Sequence, residues 1–357
     1  MATPRLEIDL ARIHRNATCL VERLASRGIT LTGVTKVVLG SPEVARTLLA
    51  AGVHSIGDSR IENIEKMRQA GIVATFILLR TPLLSQVDQV VAHADISFNS
   101  ELELIERLSE TAQKQGKSHR IVLMVELGDL REGLAPEDLA ATVRRAIDLP
   151  NIEVSGIGTN LACFGGIKPD HEKMNQLSDL AQSVEEQLGI RLALVSGGNS
   201  ANFDWLGRCQ DPGKINHLRL GESIFLGCET LRREPIDGLH TDAFTLVAEV
   251  IESKVKSSVP SGEVGQDAFG TKRHFHDRGP INHALLGIGR QDVLVSGLVP
   301  LKNELLILGS SSDHLVVESR RGRLKIGEEL RFRLDYGALL AAMTSPYVRK
   351  VFLQPSA

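Results

Sequence analysis

From residue 31 onward the chain alternates two textures: short runs dense in Val, Ile and Leu, and longer stretches in which apolar residues return at helical spacing. The short runs predict strands over Leu31 to Lys36, His54 to Asp58, Thr75 to Leu79, Asp95 to Phe98, Ile121 to Glu126, Ile152 to Thr159, Arg191 to Ser196 and His217 to Leu220. The stretches between them, such as "SPEVARTLLAAG", "SELELIERLSETAQKQG" and "PEDLAATVRRAID", predict amphipathic helices, and several open with the Ser or Pro that starts a helix. Eight strand-and-helix units within about 220 residues match a closed (β/α)8 TIM barrel over residues 1–238. An open doubly wound sheet is the alternative.

After Gly238 the pattern changes. "FTLVAEVIESKVK", "HALLGIG", "NELLILG", "HLVVES" and "EELRFRLDY" are β-type runs separated by Gly, Ser and Pro, with no helical pattern before "GALLAAM". A second, mostly antiparallel β domain over residues 239–357 fits them. The segment "VPSGEVGQDAFGTKRHFHDRGP" is glycine-rich and polar, a long loop or hairpin of the kind that often carries function.

Composition narrows the class. Of 357 residues, 42% are hydrophobic and 24% charged, and the formal net charge is −3 with no long block of one sign, so neither a nucleic-acid arm nor a membrane-binding face is expected. "MATPRLEIDLARIHRN" has no apolar core of a signal peptide, and no run reaches the roughly 18 apolar residues of a membrane span, which points to the cytoplasm. Cys19, Cys163, Cys209 and Cys228 lack the paired spacing of a zinc site or a disulfide framework and read as free, mostly buried thiols.

In a barrel of this kind the active site lies where the strands end. The first run ends at Lys36; the seventh leads into "SGGNSAN" and the eighth into "LRLGES". Two glycines followed by Asn199 and Ser200 at a helix start expose backbone N–H groups that favour an anion, although a simple turn with an N-cap has the same spelling. Lys36 has three readings: a surface lysine at a strand end, an interior charge with a carboxylate partner, or a partly desolvated amine that bonds a carbonyl. A lysine and a phosphate cradle in one barrel mouth suggest pyridoxal 5′-phosphate. Arg219, beside the cradle, then suits the ring nitrogen, where a permanently protonated guanidinium leaves that nitrogen without a proton. Pairing with Glu222 or Glu249 is the competing role for Arg219.

Taken in order, "PRLEIDLARIHRNA", "VTK", "GDSRIENI", "VELGDLREGL", "SGGNSAN", "LRLGESIFLG", "GIGRQDV", "SSSDHLVVE" and "DYGALLAAM" resemble the alanine racemase family of fold-type III pyridoxal-phosphate enzymes, and within it the ornithine racemase-like branch. The resemblance runs nearly end to end. It implies an amino-acid racemase, a homodimer with shared active sites, and Lys36 as both the cofactor's attachment point and one of two bases exchanging the α-proton. It implies Arg131 near the cofactor's phenolic oxygen and Asn160 where many relatives have a histidine beside the ring. By the same resemblance Gly198, Asn199, Ser200, Gly221 and Glu222 would surround the phosphate, joined by Tyr336, and Arg131 would receive the substrate carboxylate with Ser311, Ser312 and Asp313, a loop that the other subunit supplies in the family. No metal site is implied.

One departure concerns the second base. The family places a tyrosine before a glycine in its β domain, where this chain has Phe269 and Gly270, and a phenyl ring cannot carry a proton. Of the two tyrosines, Tyr336 is assigned to phosphate and Tyr347 lies near the end of the chain. Asp267 is the expected substitute, with His274 and His276 behind it; a turn-capping aspartate is the competing reading. A basic or broad range of amino acids is the expected substrate, with Asp58, Glu126, Asp129 or Glu222 as candidate partners for a cationic side chain. A decarboxylase or aldolase of the same fold, or a cofactor-binding protein without turnover, are the alternative functions.

Overall fold

The computed structural model describes residues 2–272 and 274–353, and the chain divides into two compact units. One is Ala11–Thr241; the other runs from the N-terminal segment to Leu10 and resumes at Asp242. This division differs from one drawn at residue 238, because the first strand, β1 (Arg5–Asp9), sides with the second unit.

In the first unit eight parallel strands close into a barrel in chain order: β2 (Thr30–Val34), β3 (Ser55–Asp58), β4 (Thr75–Leu78), β5 (Ile96–Asn99), β6 (His119–Met124), β7 (Ile152–Gly158), β8 (Leu194–Ser196) and β9 (His217–Leu220). Strand β9 returns to β2 through Leu31 opposite Leu218, which closes the ring and excludes the open sheet. Each strand falls on one of the eight apolar runs. The helices follow the same logic. Ser41 caps Pro42–Ala50 by accepting the Val44 N–H at 3.4 Å, with proline in the first turn. Helix Leu102–Lys114 buries Leu104, Ile105, Leu108 and Ala112, spaced by three and four, against the sheet side.

Ile77, Ile96, Phe98, Val122 and Met124, with Leu79 and Leu194 packed on them, form one apolar cluster of the barrel. Side chains of this size contribute about 1.5–3 kcal/mol each on full burial. The wall is not apolar throughout: Thr32, Ser196, His217 and Arg219 are buried too, and they gather toward one side.

The second unit is an antiparallel sheet built on the long strand β10 (Phe244–Ser257). Its first half lies between β1 and β15 (Glu329–Leu334), and after a bulge between Val250 and Glu252 its second half pairs with β11 (Pro280–Leu286). Strand β11 pairs with β14 (Leu315–Ser319), β14 with β13 (Leu305–Ser310), and β15 with β12 (Leu298–Pro300). Strand β16 (Arg349–Leu353) joins β1 in parallel. Arg5 ties β1 to the sheet, donating to both carboxylate oxygens of Glu329 at 2.6 and 2.7 Å and to Glu7 at 2.9 Å. Among the described residues no helix is long and apolar enough to cross a membrane.

Candidate active site

Strand β2 ends because of its neighbour. Thr35 Oγ1 donates to Asp58 Oδ2 at 2.8 Å, and Asp58 also accepts from the Arg60 N–H at 2.9 Å and from Asn63 Nδ2 at 3.0 Å. Both Thr35 and Asp58 are fully buried, and burial lifts the Asp58 carboxyl above its ordinary pKa while these hydrogen bonds pull it back. The turn that results delivers Lys36 as the first residue of a single 3-10 turn, Lys36–Val38. Lys36 is exposed while Val37 and Val38 beneath it are buried. The expected strand to Lys36 is thus corrected: Thr35 turns into Asp58, the wall stops at Val34, and the lysine stands on the rim.

Arg219 and His217 sit two apart on β9 and so share a face. Arg219 donates to Ser196 Oγ at 2.5 Å, to the Thr159 carbonyl at 2.9 Å and to Asn160 Oδ1 at 3.2 Å, with its guanidinium carbon 5.2 Å from the centroid of the Phe98 ring. None of these partners is an anion. The expected alternative of an ion pair does not occur, since Glu222 pairs with Arg233 at 2.9 Å and Glu249 accepts from Thr3 Oγ1 at 2.9 Å. Burial pushes Arg219 down to about 10, which leaves it protonated at neutral pH. Behind it, His217 Nδ1 meets Ser196 Oγ at 2.8 Å and its Nε2 meets Thr32 Oγ1 at 2.7 Å, which in turn lies 2.6 Å from Ser55 Oγ. Burial drives His217 down to about 3, so this relay is neutral and can hold Arg219 without competing for its charge.

The glycine-rich loop after β8 builds a cradle. Gly198 has φ +141°, and a Cβ there would lie 2.3 Å from Asn202 Oδ1, so only glycine fits. Asn199 accepts from the Ala201 N–H at 2.8 Å and receives the Asn202 side chain on its own N–H at 2.9 Å, a reciprocal cap over the turn Ser200–Asn202. Ser200 Oγ lies 3.0 Å from Ser223 Oγ and accepts the Ser223 N–H at 3.1 Å. The helix start after Gly221 is thereby fixed beside the one after Asn199. The Glu222 carboxylate is turned to Arg233, so within this cradle it contributes through its backbone position.

Two loops after β6 and β7 complete the rim of the barrel. Asn160 Oδ1 accepts from Arg219 and from Asn199 Nδ2, while its own Nδ2 is buried without a hydrogen-bond partner among the described residues. Asp129, fully buried, accepts the N–H groups of Cys163 at 3.2 Å, Phe164 at 2.9 Å and Ile167 at 3.4 Å. Glu126 accepts those of Gly128 and Arg131. These two acids hold loops through the backbone N–H groups they accept. Arg131 forks onto both oxygens of Glu132, and that pairing holds its guanidinium above the ordinary arginine range. Cys163 is exposed here, contrary to the expectation of mostly buried thiols; its Sγ lies 3.5 Å from Asn199 Nδ2.

The remaining site residues belong to the second unit. Asp267 Oδ1 accepts the N–H groups of Phe269 at 2.9 Å and Thr271 at 3.0 Å, as a turn-capping aspartate does. Phe269 carries the Arg290 guanidinium 3.9 Å from its ring centroid. In the turn between β13 and β14, Asp313 Oδ1 collects Ser311 Oγ at 3.0 Å, Ser312 Oγ at 3.1 Å and His314 Nδ1 at 3.0 Å, and these bonds, Ser311's first, lower its pKa. Tyr336 opens helix Tyr336–Thr344 behind the cap Asp335.

Pyridoxal 5′-phosphate needs an amine for its aldehyde, donors for its phosphate and a partner at its ring nitrogen. Lys36, the two helix starts after Asn199 and Gly221, and Arg219 supply these in one unit, and the orphaned Asn160 Nδ2 is a donor that a bound oxygen would satisfy. The residues therefore fit the cofactor. Sequence reading did not find Ser223, Ser196, His217, Thr32 or Glu132. A signal existed for the relay: "HLRL" alternates polar and apolar residues in a parallel strand buried on both faces, where near-continuous apolar residues are the rule.

Comparison with known proteins agrees. The family model described as alanine racemase, N-terminal domain, matches residues 8–228. An ornithine racemase of Acetoanaerobium sticklandii is 39% identical over 98% of this chain and 99% of its own length, and a lysine racemase of Thermotoga maritima is 41% identical over the whole of both. A solved alanine racemase from Bartonella henselae with covalently bound pyridoxal phosphate aligns with a TM-score of 0.75 at 17% identity, over 99% of this chain and 100% of that one. That last likeness speaks for the fold, and the first three for descent: the chain belongs to the alanine racemase family.

Proposed function

We propose that this chain is a pyridoxal 5′-phosphate-dependent racemase that exchanges the α-proton of basic amino acids of the ornithine and lysine type. The observation that carries the reading is Arg219, a buried guanidinium whose acceptors among the described residues are all neutral. When bound, the cofactor supplies an electron sink that acidifies the α-proton. Arg219, protonated at neutral pH, would donate to the ring nitrogen without sharing a proton with it, which would keep the sink moderate and favour proton exchange over loss of the carboxylate. Ser200 and the backbone N–H groups of Asn199, Gly221 and Glu222 would hold the phosphate, and Tyr336 is the tyrosine that the family resemblance implies for it. Asn160 would stand beside the ring, and Arg131 would orient the carboxylate end of the substrate, for which the family resemblance also implies Ser311, Ser312 and Asp313.

Lys36 Nζ takes and returns the proton on one face; Asp267 is the base for the other, since Phe269 cannot serve. Racemisation through a planar centre needs one base on each side. The reading extends to a cytoplasmic homodimer with shared active sites, acting on a small molecule; a formal charge of −3 without long blocks of one sign supports a small-molecule role. The test is incubation of the cofactor-loaded protein with L-lysine or L-ornithine in deuterium oxide. Deuterium at the α-carbon and formation of the D-isomer are expected, and both should vanish in Lys36→Ala together with borohydride-trapped cofactor. Release of carbon dioxide or an aldehyde without deuterium incorporation would overturn the reading.

A further inference from the structure

The acids at the barrel rim differ in what holds them. Asp58 is fastened by Thr35, Arg60 and Asn63; Asp129 by three backbone N–H groups; Glu126 by two; Glu222 by Arg233. Glu132 is held by Arg131 through both of its oxygens, and no other hydrogen-bond partner of its side chain occurs among the described residues. Its side chain is 21% exposed and that of Arg131 40%, so the pair sits at the opening of the mouth and within reach of solvent and solute.

The backbone that presents Glu132 is firm. The Leu134 N–H donates to the Met124 carbonyl at 2.8 Å and the Glu126 N–H to the Leu134 carbonyl at 2.9 Å, so residues 126–134 leave β6 and return to it. Gly133, at φ +143°, lies so close that a Cβ there would be 2.4 Å from the Glu126 nitrogen. A carboxylate oxygen has two acceptor directions, and the fork of Arg131 uses one on each oxygen. Two remain for a further donor. The loop of Glu132 follows β6 and borders the same end of the barrel as Arg219.

We propose that Glu132 selects a cationic side chain, its carboxylate receiving the distal ammonium of the substrate while Arg131 keeps it in place. The assignment rests on the racemase reading for its substrate class and adds the residue that recognises it. The sequence offered Asp58, Glu126, Asp129 and Glu222 as candidates for this task; in the fold the first three accept hydrogen bonds from within the protein and Glu222 is paired with Arg233.

Glu132→Gln keeps the shape and removes the charge. Calorimetric titration of the loaded protein with L-lysine and with L-norleucine, its counterpart without the ammonium, measures the preference directly, and racemisation of lysine and alanine gives kcat/KM alongside. The wild type should bind lysine more tightly than norleucine. The variant should lose about 10–100-fold for lysine, the worth of a charge-assisted hydrogen bond, with norleucine and alanine nearly unchanged. Glu132→Asp should retain part of the preference, and unchanged melting of both variants separates the effect from folding. An equal loss for all substrates would mean that Glu132 only orients Arg131, and no loss would mean that it is bystander charge; either overturns the assignment, as does a wild type without preference. Lysine preference that depends on Glu132 in a protein that exchanges no α-proton would retire the racemase reading and leave Glu132 standing.

Discussion

Arg219 and Arg131 belong to one barrel mouth, yet the first is 5% exposed and donates to a hydroxyl, a carbonyl and an amide oxygen, while the second stands at the opening and forks onto a carboxylate. The difference decides what each can do. A guanidinium satisfied by neutral acceptors keeps its full positive charge for whatever enters, and burial makes that charge count for more. A guanidinium already paired with an anion is close to neutral as a unit, and its partner still has acceptor capacity. The mouth therefore offers a fixed cation deep inside and a carboxylate at the entrance.

The sharpest way to break this contrast is to remove each guanidinium with a side chain of similar length. Arg219→Met should lower kcat/KM by about 10²–10³-fold, as loss of one preorganised donor does. It should also destabilise the fold by about 1–3 kcal/mol, because Ser196, Thr159 and Asn160 lose a buried donor. Arg131→Met should cost less than about 1 kcal/mol of stability, as an ion pair at the surface does, and act on substrate binding instead. Thermal melting and kinetics of the two variants decide: equal losses of stability would show that burial does not separate the two arginines.

The relay behind Arg219 gives the next effect. His217 is driven to about 3 and His119, bonded to Ser97 Oγ at 2.8 Å on the far side of the barrel, to about 4, both by burial. In the unfolded chain each takes a proton near the ordinary value of 6.5. Between that value and the folded one only the unfolded state binds the proton, so stability falls as pH falls. Each histidine should cost about 2 kcal/mol at pH 5 relative to pH 8. Asp58 has the opposite sign, since its raised pKa means that the folded state takes up the proton first, and it partly offsets the loss at lower pH. Denaturant titrations from pH 8 to pH 5 on the protein and on His119→Gln measure the slope; a variant as pH-sensitive as the parent would remove His119 from the account.

All eight barrel strands were legible because strands buried on both faces are mostly apolar, as "IVLM" and "TFIL" spell locally, and because helical stretches separate one short run from the next. The pairing of β1 with β16 was not, because it joins segments that lie at opposite ends of the chain and neither run carries a mark of its partner. At the site, glycine and serine after β8 were readable because a backbone that must turn at positive φ restricts composition. Glu132 was not, since an acid next to an arginine looks like an ordinary surface pair until the loop returning through Gly133 shows where it stands. The exposure of Lys36 was likewise hidden, because it depends on Asp58, which lies a full strand away in sequence.

A third arginine sharpens the comparison at its weakest end. Among the described residues Arg290 is held neither by an anion nor by several buried acceptors: it donates to Ser310 Oγ at 3.2 Å and lies on the face of Phe269, which is itself 43% exposed. The turn at Asp267 presents that ring, through the bonds its carboxylate accepts from the Phe269 and Thr271 N–H groups. A ring quadrupole holds a cation more weakly than a carboxylate does, and at a half-exposed site the contact contributes about 0.5–1 kcal/mol. Phe269→Leu should therefore lower stability by that amount in denaturant titration, while Phe269→Tyr, which keeps the ring, should not. If Leu and Tyr behave alike, the ring is not what holds Arg290, and its position follows from the backbone bonds it makes to Ser311 instead.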